Sequence, residues 1–453
     1  MSNRAFLCAI LVASLTASAA SAQLLGGGGL LGGGGPLGGV GDAIGQVGGV
    51  VDHSLSQIGS SLGLPAGDVQ QVTQPSLDRI GEPLGIANAA PAQLVELRAL
   101  RLNALIQANR DTIDRDGKGQ PVRKGELIVT NPDAASLAAA QQLGFRIAAD
   151  QQTPELGLRI VTLAVPRGMN ARDGLKTLHK AAPALEADYN HIFEPAGAAL
   201  LPTVSATLAA APALRPGARI AMIDGGVASH PSLAHAAIEQ HGFAGPAQPT
   251  GHGTAVGSLL VGEQGPFRGA ARGAQLFVGD VYGGNPAAGS ATTIVRALAW
   301  AASKRPQVIN ISLVGPANLT MARAIAALRA RGISVVAAVG NDGPAAPPMY
   351  PASYPGVVAV TGVDAGDRAL REAGRSAHLD FAAPGADLVA ALPGKGFTAV
   401  RGTSFAAPLV AARLAAAGSS ARLALEAVPG KGRVGQGIVC KSCRIAPREV
   451  GLK

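Results

Sequence analysis

The sequence predicts an α/β protein whose main domain is a parallel sheet with helices on both faces, preceded by a small α+β domain. From Ala218 to about Gly418, short continuous apolar strands alternate with helices, which is typical of a parallel sheet buried on both faces. Upstream, the order β-α-β-β-α-β between Glu126 and Tyr189 indicates a split βαβ domain. In an open parallel sheet, functional groups lie at the carboxyl ends of the strands. The residues that follow each strand are therefore the candidates for chemistry.

Hydrophobic patterning sets the individual elements. In the main domain we predict strands at Arg219–Ile223, Leu276–Val281, Val308–Leu313, Ser334–Val339 and Val357–Thr361, and helices at Thr254–Val261, Thr292–Ser303, Leu319–Arg331 and Ser404–Ala416. In the upstream domain we predict strands at Glu126–Val129, Phe145–Ala149, Arg159–Val165 and about Leu185–Tyr189, and helices at Ala134–Leu143 and Asn170–Ala182. Leucines at helical spacing predict one further helix, Ala92–Arg110.

Composition divides the chain into six segments. Arg4, an apolar stretch and the small residues Ala20-Ser21-Ala22 predict a signal peptide over residues 1–22. Residues 23–90 form a flexible segment with pure glycine runs, residues 91–194 a helix and the α+β domain, and residues 195–216 a linker rich in Pro and Ala. The main domain covers residues 217–418, and a tail covers residues 419–453. We expect an exported protein, either secreted or periplasmic.

Charge and cysteine content exclude several classes of protein. The net charge is +9, but the basic residues are scattered and no basic run with interleaved aromatics is present, so we expect no nucleic-acid partner. No segment after the signal is long and apolar enough to predict a transmembrane helix. Cys440 and Cys443 form a lone Cys-x-x-Cys, which in an exported chain indicates a short-loop disulfide. The alternatives are a redox-active pair, which lacks a βαβ context, and a metal knuckle, which lacks a second ligand pair.

Three glycine-framed segments present Asp224, His252 and Ser404 in that order along the chain. Asp224 follows a predicted strand and precedes two glycines, so it could also be a turn residue. His252 lies between glycines near the start of a helix, where a lone histidine is more often simply solvated. Together the three residue types can form a nucleophilic triad, because serine needs a base and the base needs an orienting carboxylate.

Ser404 opens a predicted helix, where it could merely cap the helix end. Unpaired N–H groups at a helix N-terminus can equally stabilise a developing oxyanion. Asn341, at the end of another strand, is either a turn residue or a second oxyanion donor. We expect Pro408 to be tolerated because the first helical turn lacks intrahelical acceptors.

These motifs resemble those of the subtilisin-like serine protease family. The match covers about Pro216 to Gly418 and includes His230-Pro231, Asn310-Ile311-Ser312-Leu313 and Tyr350-Pro351-Ala352. By resemblance, Asp224, His252 and Ser404 are the catalytic triad and Asn341 is the oxyanion amide. The resemblance also implies that the upstream domain is an inhibitory propeptide, whose end at about His191–Ala196 lies in the substrate groove.

The resemblance further implies the walls of the substrate site. One substrate-binding edge and the walls of the specificity pocket would consist of Ser312, Leu313, Val314, Gly315, Ala337, Ala338, Val339 and Gly340. A second edge would lie near Tyr282–Ser290.

Two positions depart from the family pattern. Gly225 stands where a Ser or Thr usually follows the aspartate, and Pro316 removes a backbone donor from a substrate-binding edge. We expect no cofactor and no metal; calcium is the alternative, but it is not indicated, because we find no Asp/Glu cluster of the density that a calcium site requires.

The sequence therefore predicts a secreted serine endopeptidase that is made with its own inhibitory propeptide, acts on proteins or peptides through an acyl-enzyme, and is a monomer. The alternative is a non-catalytic secreted binding protein that retains the protease fold, suggested by Gly225, Pro316 and a propeptide that never leaves the groove.

Overall fold

The computed structural model describes residues 89–196, 198–200, 217–394 and 396–452, and for 198–200 it describes the backbone alone. The predicted signal peptide, the glycine-rich segment up to residue 88 and most of the predicted linker lie outside these residues. Within them, no helix is both long and apolar enough to cross a membrane.

The N-terminal domain, residues 89–196, is a helix followed by an antiparallel sheet with two helices. Its helices are α1 (Pro91–Ala108), α2 (Ala134–Gln142) and α3 (Ala171–Ala181). Its strands are β1 (Ile113–Arg115), β2 (Pro121–Thr130), β3 (Arg146–Thr153), β4 (Leu158–Ala164) and β5 (Glu186–His191), in the order β1-β2-β4-β3 with β5 also paired to β2. The order β2-α2-β3-β4-α3-β5 confirms the predicted β-α-β-β-α-β arrangement.

Two short strands continue the chain from this domain, β6 (Glu194–Pro195) and β7 (Ala198–Leu200). Each pairs with the C-terminal domain, residues 217–452, rather than with its own sheet.

The C-terminal domain contains the remaining elements. Its strands are β8 (Arg219–Asp224), β9 (Ala237–Gly242), β10 (Glu263–Gln264), β11 (Phe267–Arg268), β12 (Gln275–Asp280), β13 (Val308–Ile311), β14 (Leu313–Val314), β15 (Ser334–Ala338), β16 (Val358–Val363), β17 (Phe381–Pro384), β18 (Leu388–Leu392) and β19 (Gly396–Arg401). Its helices are α4 (Gly251–Val261), α5 (Ala291–Ser303), α6 (Leu319–Ala330), α7 (Thr403–Ala417) and α8 (Ser420–Ala424).

Seven of these strands form one parallel sheet in the order β17-β16-β15-β13-β8-β12-β9. Alternate residues of each strand enter opposite cores, as Met222 and Ile223 of β8 do. Helices α4 and α7 pack in the core on one face, and α5 and α6 in the core on the other. The predicted fold class is thus confirmed.

The residues after 418 pack onto this domain. Val439 N–H donates to the Ala382 carbonyl of the edge strand β17 at 2.8 Å, and Val389 N–H of β18 donates to Ile445 at 2.9 Å. A disulfide joins Cys440 to Cys443, with Cα atoms 5.1 Å apart. The tail therefore covers the edge of the sheet, where unpaired backbone groups would otherwise face solvent.

Candidate active site

Asp224 is the last residue of the central strand β8, and its side chain is 1% exposed. Its Oδ1 accepts hydrogen bonds from the Gly225 N–H at 2.7 Å and from His252 Nδ1 at 2.8 Å. Its Oδ2 is buried and has no hydrogen-bond partner among the described residues. The carboxylate is thus held in place by contacts to one oxygen.

His252 lies in the first turn of α4. The start of this helix lies close to the end of β8. Thr250 caps this helix, because its Oγ1 accepts from the Gly253 N–H at 2.9 Å. A Cβ at Gly253 would collide with the Gly225 carbonyl, so glycine is required for this close approach. On its other side, His252 Nε2 lies 2.9 Å from Ser404 Oγ. The structure therefore links Asp224, His252 and Ser404 in one hydrogen-bonded chain.

Ser404 is the second residue of α7, where backbone N–H groups have no acceptor within the helix. Our explanation for Pro408 is wrong, because in this helix its missing N–H would have paired with the Ser404 carbonyl, beyond the first turn. Instead Ser312 Oγ donates to that carbonyl at 3.0 Å and accepts from Asn310 Nδ2 at 2.9 Å. Ser312 thereby satisfies the buried carbonyl of Ser404.

Asn341 is oriented by both ends of its side-chain amide. Its Oδ1 accepts from the Thr403 N–H at 3.0 Å, which turns Nδ2 toward the cleft, where it donates to the Ala196 carbonyl. That carbonyl belongs to the last described residue before Gly197. An amide held in this way can stabilise negative charge that develops on a carbonyl oxygen.

The segment that leads up to Ala196 lies in the cleft in an extended conformation. β6 pairs antiparallel with β14, and the Ala196 N–H donates to the Ser312 carbonyl at 3.0 Å. On the opposite side, the Phe193 N–H donates to Gly289 at 2.8 Å and its carbonyl accepts from the Tyr282 hydroxyl at 3.2 Å. Burial raises the pKa of this tyrosine well above its ordinary value, so the hydroxyl remains a donor.

The structure places six of the eight predicted substrate-site residues in two apolar surroundings. Ala196 packs in one core cluster with Val314 and Ala338, next to Gly340. Ala337 of β15 and Val339, which follows that strand, join the cluster on the opposite face of the sheet, which contains Phe193 and Leu313. The Gly315 backbone pairs with Tyr350 through hydrogen bonds of 2.9 and 3.0 Å, and a side chain at this position would collide with the ring of Phe193.

Sequence reasoning missed three contributors to the site: Thr250, Asp342 and the arginines of α1. Arg98 and Arg101 both form ion pairs with Asp342, the residue after Asn341. The sequence did carry a signal for the two arginines. Their spacing, i and i+3, places both cations on one face of the helix.

Comparison with known proteins identifies the class. A model of the subtilase family matches residues 215–425. Subtilisin Savinase from Lederbergia lenta is 32% identical over 203 residues, covering 43% of this chain and 74% of that protein. The alkaline protease of Alkalihalobacillus alcalophilus is also 32% identical over 203 residues, covering 43% of this chain and 52% of its own length.

Among solved structures, the chain is similar to fervidolysin from Fervidobacterium pennivorans, a keratinolytic enzyme related to subtilisin. The TM-score is 0.60 at 19% identity, covering 73% of this chain and 62% of that one, so this likeness is one of fold. The chain belongs to the subtilase family. It is a subtilisin-like serine protease, a hydrolase that acts on proteins.

Proposed function

We propose that this protein is an endopeptidase in which Asp224, His252 and Ser404 act as the triad and Asn341 as an oxyanion donor. The observation that carries the proposal is the hydrogen-bonded chain from Asp224 through His252 to Ser404, next to a peptide carbonyl held by Asn341. A base within 3 Å of a serine hydroxyl, with a carboxylate on its other nitrogen, meets the geometric requirement for nucleophilic catalysis.

In the proposed reaction, Ser404 Oγ attacks the substrate carbonyl carbon while its proton passes to His252 Nε2. Asp224 keeps the proton of His252 on Nδ1 and stabilises the imidazolium. The oxyanion accepts hydrogen bonds from Asn341 Nδ2 and the Ser404 N–H. His252 then protonates the leaving amine, and water hydrolyses the acyl-enzyme with His252 again as the base. No cofactor is needed for these steps.

We further propose that the N-terminal domain is an inhibitory propeptide and that its own end is the first substrate. The pairing of β6 with β14 and the contact between Ala196 and Asn341 support cleavage of the bond between Ala196 and Gly197. The mature enzyme would then begin at Gly197.

N-terminal sequencing and active-site labelling test these roles. The wild-type chain should yield a species that starts at Gly197 and reacts with a fluorophosphonate probe. Ser404→Ala should retain the uncut bond, lose labelling and lower hydrolysis of casein by at least about 10⁴-fold. Ser303→Ala, which changes an exposed serine at the end of α5, serves as control and should behave as wild type. Undiminished hydrolysis by Ser404→Ala would refute the assignment.

We also propose that the protein is exported through its signal peptide, to the medium or the periplasm, and acts as a monomer. The disulfide of the tail supports an oxidising compartment. Because Ser404→Ala leaves the propeptide attached, its exported form should begin at Gln23.

A further inference from the structure

Asp342 lies on the rim of the cleft, one residue after the proposed oxyanion amide, and is 5% exposed. Its carboxylate forms ion pairs with Arg98 Nε and Arg101 Nη2, each at 3.0 Å. Both arginines belong to α1, which also packs Leu94 against Gly343. Among the described residues, the C-terminal domain provides no ion-pair partner for Asp342.

Arg101 connects Asp342 to the chain in the cleft. Its Nε lies 3.0 Å from Glu194 Oε1 while its Nη2 contacts Asp342. Burial alone lowers the pKa of Arg101, but the carboxylates of Glu194 and Asp342 outweigh that effect and raise it, so the guanidinium stays charged. One cation therefore bridges the two carboxylates. Glu194 is the third residue before the proposed scissile bond, counting Ala196 as the first.

Glu372, a further carboxylate of the C-terminal domain close to Asp342, is already neutralised. Glu372 is 2% exposed and forms a two-point ion pair with Arg401, at 2.7 and 3.0 Å. The Glu372 carbonyl accepts from the Gly343 N–H at 2.8 Å, which fixes the loop after Asp342. Removal of α1 would leave Asp342 as an uncompensated negative charge on a rigid loop.

We propose that Asp342 is a cation-binding subsite that selects Lys or Arg at the third substrate residue before the scissile bond. In the precursor that residue is Glu194, and Arg101 supplies the cation from α1. In the mature enzyme a basic substrate side chain at this position takes the place of the guanidinium, whereas an acidic one is repelled. The inference rests on the proposed function, since it assumes that residues 91–196 are removed.

The test uses the matured enzyme and three peptides with the sequence of residues 191–200, His-Ile-Phe-Xaa-Pro-Ala-Gly-Ala-Ala-Leu, with Xaa as Lys, Gln or Glu. We expect kcat/KM to fall in the order Lys, Gln, Glu, with roughly tenfold between Lys and Glu at low salt, and the ratio to shrink in 0.5 M salt. A peptide with Gln at Xaa and Lys added before His controls for peptide charge.

Asp342→Asn should reduce the ratio of Lys to Glu rates to within about threefold, because the charge that discriminates is gone. Glu263→Gln, which removes an exposed carboxylate on β10, should keep the wild-type ratio. Equal rates for Lys and Glu in the wild type, or an unchanged ratio in Asp342→Asn, would overturn the subsite. Failure to cleave any of the three peptides would instead count against the proposed function.

Discussion

At the residue scale, Asp224 is held differently from what the family pattern implied. Gly225 lacks a side-chain hydroxyl, and Asp224 Oδ2 has no hydrogen-bond partner among the described residues. The space where a side chain at position 225 would lie is filled by Thr250, which also caps α4. Gly225 and Thr250 are therefore a matched pair, and the departure at 225 is accommodated by packing.

This pairing predicts that Gly225→Ser lowers activity when it is made alone and is tolerated when it is combined with Thr250→Gly. The single change forces a Cβ into the Thr250 side chain, which costs about 1–3 kcal/mol in overpacking and shifts His252 with α4. We expect kcat/KM to fall at least tenfold, because catalysis depends on small displacements. Thr250→Gly should cost only a few tenths of a kcal/mol, since glycine is accepted at an N-cap.

A double-mutant cycle measures the coupling between the two positions. The double variant should return to within about threefold of the kcat/KM of Thr250→Gly, because the new serine then has space and can donate to Asp224. Additive losses in kcat/KM and in Tm would contradict this account.

At the element scale, α7 depends on a side chain from another loop. Pro408 leaves the Ser404 carbonyl without its helical donor, and Ser312, 92 residues earlier, supplies one. The hydroxyl of Ser312 thus supports the helix that carries the proposed nucleophile, while its backbone carbonyl accepts from Ala196.

Ser312→Ala should therefore destabilise α7 in a way that Pro408→Ala corrects. Losing the donor to a buried carbonyl costs about 1–3 kcal/mol, and an alanine at 408 restores a backbone N–H. In a Ser404→Ala background, which prevents self-digestion, the double variant should recover at least half of the Tm lost by Ser312→Ala.

Ser258→Ala is the matched control, because it also removes a buried serine hydroxyl from the C-terminal domain. Its loss in Tm should not be corrected by Pro408→Ala. Equal correction of both serine variants would mean that Pro408→Ala acts through general helix stability.

At the scale of the whole molecule, the sequence predicted the elements much better than the contacts between them. Apolar strands such as β8 were predicted to within a few residues because both faces are buried. β9 was missed because its exposed edge position gives it the polar sequence Ala-Ile-Glu-Gln-His-Gly. Asp224, His252 and Ser404 could be found because glycines mark them. The link from Arg101 to Asp342 spans 241 residues, and no local pattern encodes it.

The two domains meet through polar groups of β5 that cap helices of the C-terminal domain. Asp188 Oδ2 accepts from the Leu319 N–H of α6 at 2.7 Å, and Asn190 Oδ1 from the Thr292 N–H of α5 at 3.2 Å. At the end of β5, His191 Nδ1 accepts from Asn318 Nδ2 at 3.2 Å. These polar contacts of β5 add to the apolar packing of Ile128 and Ile160 against Met321 of α6 in attaching the N-terminal domain.

Asp116 makes the contact between the two domains sensitive to acid. Its Oδ2 lies 3.3 Å from His191 Nε2, and its Oδ1 accepts from the Lys118 and Gln120 N–H groups at 2.7 and 2.8 Å. Burial alone raises the pKa of Asp116, but these hydrogen bonds outweigh burial and lower it below its ordinary value. A carboxyl with a lowered pKa stabilises the folded state above its unfolded pKa of about 3.9, and that stability is lost as the pH falls through the folded value.

We therefore expect the free energy of unfolding of the Ser404→Ala precursor to exceed that of its Asp116→Asn derivative at pH 6, by about 1–3 kcal/mol. This difference in the free energy of unfolding should shrink toward pH 3. Protonation then removes the negative charge of Asp116, whereas asparagine carries no charge at either pH. Urea midpoints at both pH values measure the gap. Asp111→Asn, at an exposed position before β1, serves as the control and should change the free energy of unfolding at pH 6 by no more than about 0.5 kcal/mol. A gap that stays constant or widens on acidification would show that Asp116 acts through its shape alone, since only the charge titrates.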